Sequence, residues 1–182
     1  MILENEKIKQ ALEYIKEEDP VTTQDTLNMC QIPAPSYKEE KKAEYIRKRF
    51  REIGLRDVRI DAVGNVLGIW PGTGEGPGVM LAAHTDTVFP EGTDLAIRKE
   101  GNRYYCPGIN DDTHAVAEMI AVAKAMIHAD LHTKGDLIFC ANVCEEGLGD
   151  LRGVKYLFGY DNKVSEECPQ IDAFVSIDNQ YT

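Results

Sequence analysis

The chain predicts an α/β fold: a mostly parallel or mixed central sheet with helices on both faces. Three observations point there. A continuous apolar run at 79–83 has the signature of a strand buried on both sides, and 137–143 and 173–177 read as two further buried strands. Segments with helical spacing of apolar residues alternate with those runs. Turn-rich stretches such as "PGTGEGPG" separate the elements. At 182 residues the chain has room for one domain with a sizeable core.

Each element has its own local reason. Ile8, Ala11, Leu12 and Ile15 lie on one face of a helix, and Pro20 ends that pattern. A second short helix is expected over 21–29. Ser36 and Glu39 make an S-x-x-E pattern, read as a capping box ahead of Ala43, Ile46, Phe50 and Ile53. Gly54 can supply the left-handed turn that closes that helix. Strands follow at 58–61 and 66–70, joined by a turn at Gly64-Asn65. The run at 79–83 is a central strand. "IRKEGNRYYC" reads as a hairpin about Gly101-Asn102. Val116, Met119, Ile120 and Ala123 mark a long helix that opens near Asp112. A buried strand at 137–143, a helix through Val154, Leu157 and Phe158, and a last buried strand at 173–177 complete the order.

Composition excludes several functions. A net charge of −11 argues against a nucleic-acid binder, which needs a basic face. The first residues, "MILENEKIKQALEYIKEED", are too charged for a signal peptide. No run approaches the roughly 18 apolar residues of a membrane span. The five cysteines, Cys30, Cys106, Cys140, Cys144 and Cys168, are odd in number and irregularly spaced. They read as reduced thiols of a cytoplasmic protein, with Cys140 in the core.

In open α/β sheets, ligands sit at the C-terminal ends of the strands. His84 and Asp86 follow the first buried run, Glu145 and Glu146 the second, and Asp178 the third. Asp111 and Asp112 open the long helix. Taken singly, these are turn residues, caps or solvated acids. Taken together, they place many carboxylates and one imidazole at one sheet edge. Carboxylates so crowded cannot all stay ionised without a cation. The mixture suits a borderline divalent ion such as zinc. Two metals about 3.5–4 Å apart would need a bridging carboxylate and a non-ligating acid to take a proton from water. In an extended segment neighbouring side chains point apart, so one of Glu145 and Glu146 can bind metal while the other faces the water. Asp86, two residues after His84, can accept the imidazole's other N–H and fix its tautomer.

The motifs "HTDTV", "GINDDTHAVA", "CEEGLG" and "FVSID", with "DAVGNVLG" before them, resemble metallopeptidase family 20 in order and interval. That family includes aminoacylases, glutamate carboxypeptidases, succinyl-diaminopimelate desuccinylases and tripeptide aminopeptidases. The resemblance runs from about Thr26 to Asp178 and implies a di-zinc exopeptidase-like fold. It implies that His84, Asp111 and Asp178 bind the first zinc and that Asp111 bridges to a second held by Glu146. Glu145 would be the general base, and Asp86 would orient His84. A departure appears at "DDTHA", where many relatives carry a lysine; His114 there is expected to be an ordinary first-turn helix residue. His128 and His132 are expected at the surface.

The resemblance also sets expectations for the whole. Residues 1–182 would be a catalytic, metal-binding domain, incomplete at the C-terminal end and without the family's lid or dimerisation domain. One or two zinc ions are expected. The substrate would be a short peptide, in a tripeptide-aminopeptidase-like reaction, with N-acyl amino acid deacylation as the alternative. A homodimer is expected only for a longer form. The family's last ligand to the second zinc, a distant His, has no counterpart here, so this chain alone is expected to be weakly active or inactive. An exposed apolar surface is expected where further strands would pack. A third reading, an α/β domain whose acids bind an amine and no metal, ranks below these.

Overall fold

A computed structural model describes residues 2–159 and 170–178. Cys168 lies outside the described residues. The chain opens with two helices, α1 (Glu6–Glu17) and α2 (Asp19–Cys30). Asn5 caps α1 by accepting from the Lys7 amide at 2.9 Å. Pro20 both ends α1 and sits in the first turn of α2, where its missing N–H costs nothing.

α3 (Glu40–Glu52) follows, then β1 (Arg56–Ile60), β2 (Val66–Trp70) and β3 (Val79–His84). A separate hairpin, β4 (Arg98–Glu100) and β5 (Arg103–Tyr105), turns at Gly101-Asn102. α4 (Ala115–His128), β6 (Leu137–Asn142), α5 (Arg152–Phe158) and β7 (Ala173–Ser176) complete the described elements.

Among the described residues the main sheet has the order β1-β2-β6-β3-β7. β1 and β2 pair antiparallel, as do β2 and β6, whereas β3 runs parallel to both β6 and β7. The sheet is therefore mixed. β6 alternates across it. Phe139 and Ala141 join Ile46 and Phe50 of α3 and Met119 and Ile120 of α4 on one face. Ile138 and Cys140 meet Met80 and Leu157 on the other. Burial of both faces explains the unbroken apolar run at 79–83 and the largely apolar β6.

Three expectations need correction. Ser36 and Glu39 do not cap α3: Glu39 occupies the cap position without a side-chain cap hydrogen bond. β7 is exposed along its whole length; among the described residues it lies at the sheet edge and pairs only with β3. His132 is half-buried, stacked on Trp70 and hydrogen-bonded through Nδ1 to the Pro71 carbonyl oxygen at 2.7 Å. His128 is exposed as expected and stacks on Tyr14. No helix of the described residues is long and apolar enough to cross a membrane.

Candidate metal centre

The parallel trio β6-β3-β7 brings its three C-terminal ends to one edge. His84 is the last residue of β3 and is 3% exposed. Its Nε2 lies 3.0 Å from Asp111 Oδ1. One donor atom each from His84, Asp111 and Asp178 falls within 4.8 Å of the others. A second set, His84, Glu145 and Glu146, meets the same limit. All five residues expected as ligands or base thus converge with the strand ends.

Asp111 is delivered by an irregular turn, Ile109–His114, ahead of α4. Asp111 and Asp112 have non-helical backbone angles, and the peptide between them is cis. The helix therefore opens at Ala115, three residues later than expected from Asp112. Gly108, with φ of +72°, starts this turn against Thr87, where a Cβ would come within 2.5 Å of the Thr87 methyl group.

The segment after β6 is not continuously extended. Cys144 has φ of +52°, in the left-handed region. The alternation expected for Glu145 and Glu146 is lost there, and both carboxylates reach the His84 cluster. Asp86 is fully buried. Its Oδ1 accepts the Glu145 amide at 2.9 Å, and its Oδ2 accepts the Glu146 amide at 3.1 Å and the Ser36 hydroxyl at 2.6 Å. The His84 Nδ1 contact is nearer to the Asp86 carbonyl oxygen, 3.0 Å, than to its carboxylate, 3.4 Å. His84 Nδ1 thus faces both the backbone oxygen and the carboxylate of Asp86, and the same carboxylate also holds the Glu145-Glu146 loop.

The electrostatics are those of a cation site. Burial alone would lower the His84 pKa, but the hydrogen bond to Asp86 and the charges of Asp112, Asp86 and Glu145 win and raise it to about 9. Burial raises Glu145, and Asp178, Asp86 and Asp111 add to the rise while His84 opposes it. Glu146 is raised by burial first and by Asp111 next. Asp86 goes the other way: burial would raise it, but hydrogen bonds from His84, Ser36 and the two glutamate amides hold it below the usual carboxylate range. The field at His84 favours positive charge, and an imidazole with four carboxylates is a donor set that fits a divalent metal.

Some supporting residues escape a reading of the sequence. Asp112, fully buried, accepts the His84 backbone N–H at 2.9 Å through Oδ2. Asn65 accepts the Val143 amide at 3.0 Å and donates to the Gly153 carbonyl oxygen at 3.0 Å, tying the end of β6 to the start of α5. The paired acids could have drawn attention to Asp112, since one suffices to cap a helix. His114 lies outside both donor sets; its Nδ1 contacts Thr26 Oγ1 and its Nε2 contacts Glu118, each at 3.2 Å.

Comparison with known proteins adds four findings. Residues 80–180 match the family model described as peptidase family M20/M25/M40. A Pyrococcus abyssi protein, whose name describes a LysW-lysine/LysW-ornithine hydrolase, is 34% identical over 119 residues, which cover 65% of this chain and 32% of that protein. Succinyl-diaminopimelate desuccinylase of Corynebacterium glutamicum is 29% identical over 153 residues, covering 84% of this chain and 40% of the enzyme. This chain thus spans about a third to two fifths of the length of the curated relatives it matches. Among solved structures, a tripeptidase from Staphylococcus aureus aligns with a TM-score of 0.66 at 21% identity, over 88% of this chain and 43% of that one, which supports the fold.

Proposed function

Because the chain belongs to peptidase family M20/M25/M40, we propose that it forms the metal-holding part of a zinc-dependent hydrolase that cleaves amide bonds in short peptides as an exopeptidase. One observation carries this reading: His84, Asp111, Asp178, Glu145 and Glu146 present their donor atoms in two overlapping sets. In this reading His84, Asp111 and Asp178 hold one zinc, and Asp111 and Glu146 hold a second. The bound metal supplies a Lewis acid for the scissile carbonyl and makes water acidic enough to lose a proton near neutral pH.

The chain's own residues then have distinct tasks. His84 directs Nδ1 at the Asp86 carbonyl oxygen, which leaves Nε2 as its metal-facing nitrogen. Asp86 stays ionised and fixes the backbone from which Glu145 and Glu146 project. Glu145, its proton affinity raised by burial and neighbouring carboxylates, takes the proton from the attacking water and returns it to the leaving amine. The buried free thiols of Cys30, Cys106, Cys140 and Cys144 support a cytoplasmic setting.

Deacylation of N-acyl amino acids is the second reading, favoured by the desuccinylase relative. Both reactions break an amide bond and use the same donor set. The deciding experiment measures zinc content of this chain and of Asp111→Ala, then assays the zinc-loaded protein on tripeptides, dipeptides and N-succinyl amino acids. Zinc uptake lost in Asp111→Ala, with peptide turnover, supports the first reading. Turnover of acyl substrates alone moves the assignment to the second. No zinc uptake sinks both.

A further inference from the structure

The S-x-x-E pattern at residues 36–39 has no capping role in α3, so its purpose lies elsewhere. Both residues precede α3, and their side chains reach toward the strand ends instead. Ser36 Oγ donates to Asp86 Oδ2 at 2.6 Å and also lies 3.5 Å from the Glu146 carbonyl oxygen. Glu39, buried at 5% exposure, accepts the Cys144 amide at 2.9 Å through Oε1, and the Cys144 thiol lies 3.3 Å from the same oxygen. Between them, Tyr37 donates its hydroxyl to the Leu148 carbonyl oxygen at 3.0 Å. The segment is itself anchored to the loop after β3, where Thr87 N–H donates to the Ala34 carbonyl oxygen at 2.9 Å and Pro35 bridges to Thr87.

These contacts bracket the two glutamates. Glu39 grips Cys144 immediately before them, Tyr37 grips Leu148 just after them, and Ser36 supports the Asp86 carboxylate that holds their amides. Cys144 is a non-glycine residue in the left-handed region, a conformation that persists only where its surroundings enforce it. Its N–H is buried against Glu39, and without that acceptor it would be left unpaired. The turn that aims both glutamates at His84 thus depends on a residue more than a hundred positions earlier.

We propose that Ser36 and Glu39 are positioning residues that set the Glu145-Glu146 loop for metal binding. The proposal rests on the reading of His84, Asp111, Glu146 and Asp178 as metal ligands. A purely structural role would alter stability and leave zinc affinity unchanged.

The test is zinc titration by calorimetry of the wild-type chain, Glu39→Ala, Glu39→Gln and Ser36→Ala, with thermal unfolding of each metal-free protein alongside. Loss of such supporting contacts lowers metal affinity about 10–100-fold. Glu39→Ala should show a loss of that order at the weaker zinc site. Glu39→Gln keeps an oxygen for the Cys144 N–H and should recover most of it. Ser36→Ala should weaken zinc in the same sense, and it keeps the test alive if Glu39→Ala does not fold. Wild-type affinity in folded Glu39→Ala and Ser36→Ala, or no recovery in Glu39→Gln, overturns the proposal. Failure of the wild-type chain to bind zinc would instead remove the ligand reading beneath it.

Discussion

The Asp86 carboxylate holds the backbone of Glu145: Oδ1 accepts the Glu145 amide at 2.9 Å, from a position with no solvent exposure. Its other oxygen serves Glu146 and Ser36. A single buried carboxylate therefore couples the end of β3 to the loop after β6. Asp86→Ala removes acceptors from two amides and a hydroxyl at once. Zinc affinity should fall at least about 10-fold, as expected for loss of groups behind metal ligands. Calorimetric titration of the variant checks this, and an unchanged affinity would contradict the coupling.

Glu145 and Glu146 both reach His84, so position alone does not separate base from ligand. Their replacements do. Glu145→Gln keeps size and hydrogen bonding but cannot take a proton. It should retain the full zinc content and lose about 10²–10⁴-fold of any turnover the wild-type chain shows, the usual contribution of a general base. Glu146→Gln should lose zinc as well. If Glu145→Gln is the variant that loses metal, the two roles are exchanged.

Much of this site is legible in the sequence, for a physical reason. A parallel strand buried on both faces reads as an unbroken apolar run, and the first polar residue after it marks the edge where ligands collect. His84 follows from that rule alone; Glu145, Glu146 and Asp178 follow strands that Asn142 and Ser176 interrupt, and are read from their place just after those strands. What the sequence hides is tertiary. Ser36 and Glu39 have the spacing of a cap, and nothing local distinguishes a partner in the next turn from one on β6. Alternation failed at Glu145-Glu146 because Cys144 turns left-handed, a choice made by its contacts and not by its type. The run at 173–177 looked as buried as the other two, yet strand order puts β7 at the edge, with Phe174 and Val175 exposed. Strand order is set by pairing between distant segments, and apolar periodicity does not encode it.

Gly149 offers a test of how closely the loop packs. A Cβ there would sit 2.7 Å from the Cys144 carbonyl carbon and oxygen and 2.8 Å from its Cα. All are backbone atoms, so the loop itself must shift. Gly149→Ala should cost about 1–3 kcal/mol, the range for overpacking, and weaken zinc binding because the displaced residue precedes Glu145. At Gly147 a Cβ meets nothing within 4 Å, and φ is +48°. Gly147→Ala should therefore cost only the left-handed backbone, about 1–2 kcal/mol. Thermal unfolding and zinc titration of the pair separate packing from backbone strain.

Lys42 makes the last prediction, a dependence of stability on pH. It is the largest fully buried side chain among the described residues, it lies on α3, and its ammonium donates to Thr113 Oγ1 at 3.2 Å. Burial lowers its pKa from 10.5 to about 8, although Cys30 of α2, Asp86 after β3, Cys106, and Asp112 ahead of α4 all pull it upward. The folded state thus holds this proton less tightly than the unfolded chain. Below pH 8 both states are protonated and the cost of burying the charge is present in full. Between pH 8 and 10.5 the unfolded chain binds more protons, so stability rises with pH. The rise attributable to Lys42 is about 3 kcal/mol, at 1.36 kcal/mol for each pKa unit. Lys42→Met removes it. The stability of the wild-type chain relative to Lys42→Met, measured by urea unfolding at fixed pH, should therefore climb from pH 7.5 to 10.5 and level off beyond. A flat difference across that range would mean that the surrounding carboxylates keep Lys42 charged as firmly in the fold as water does outside it.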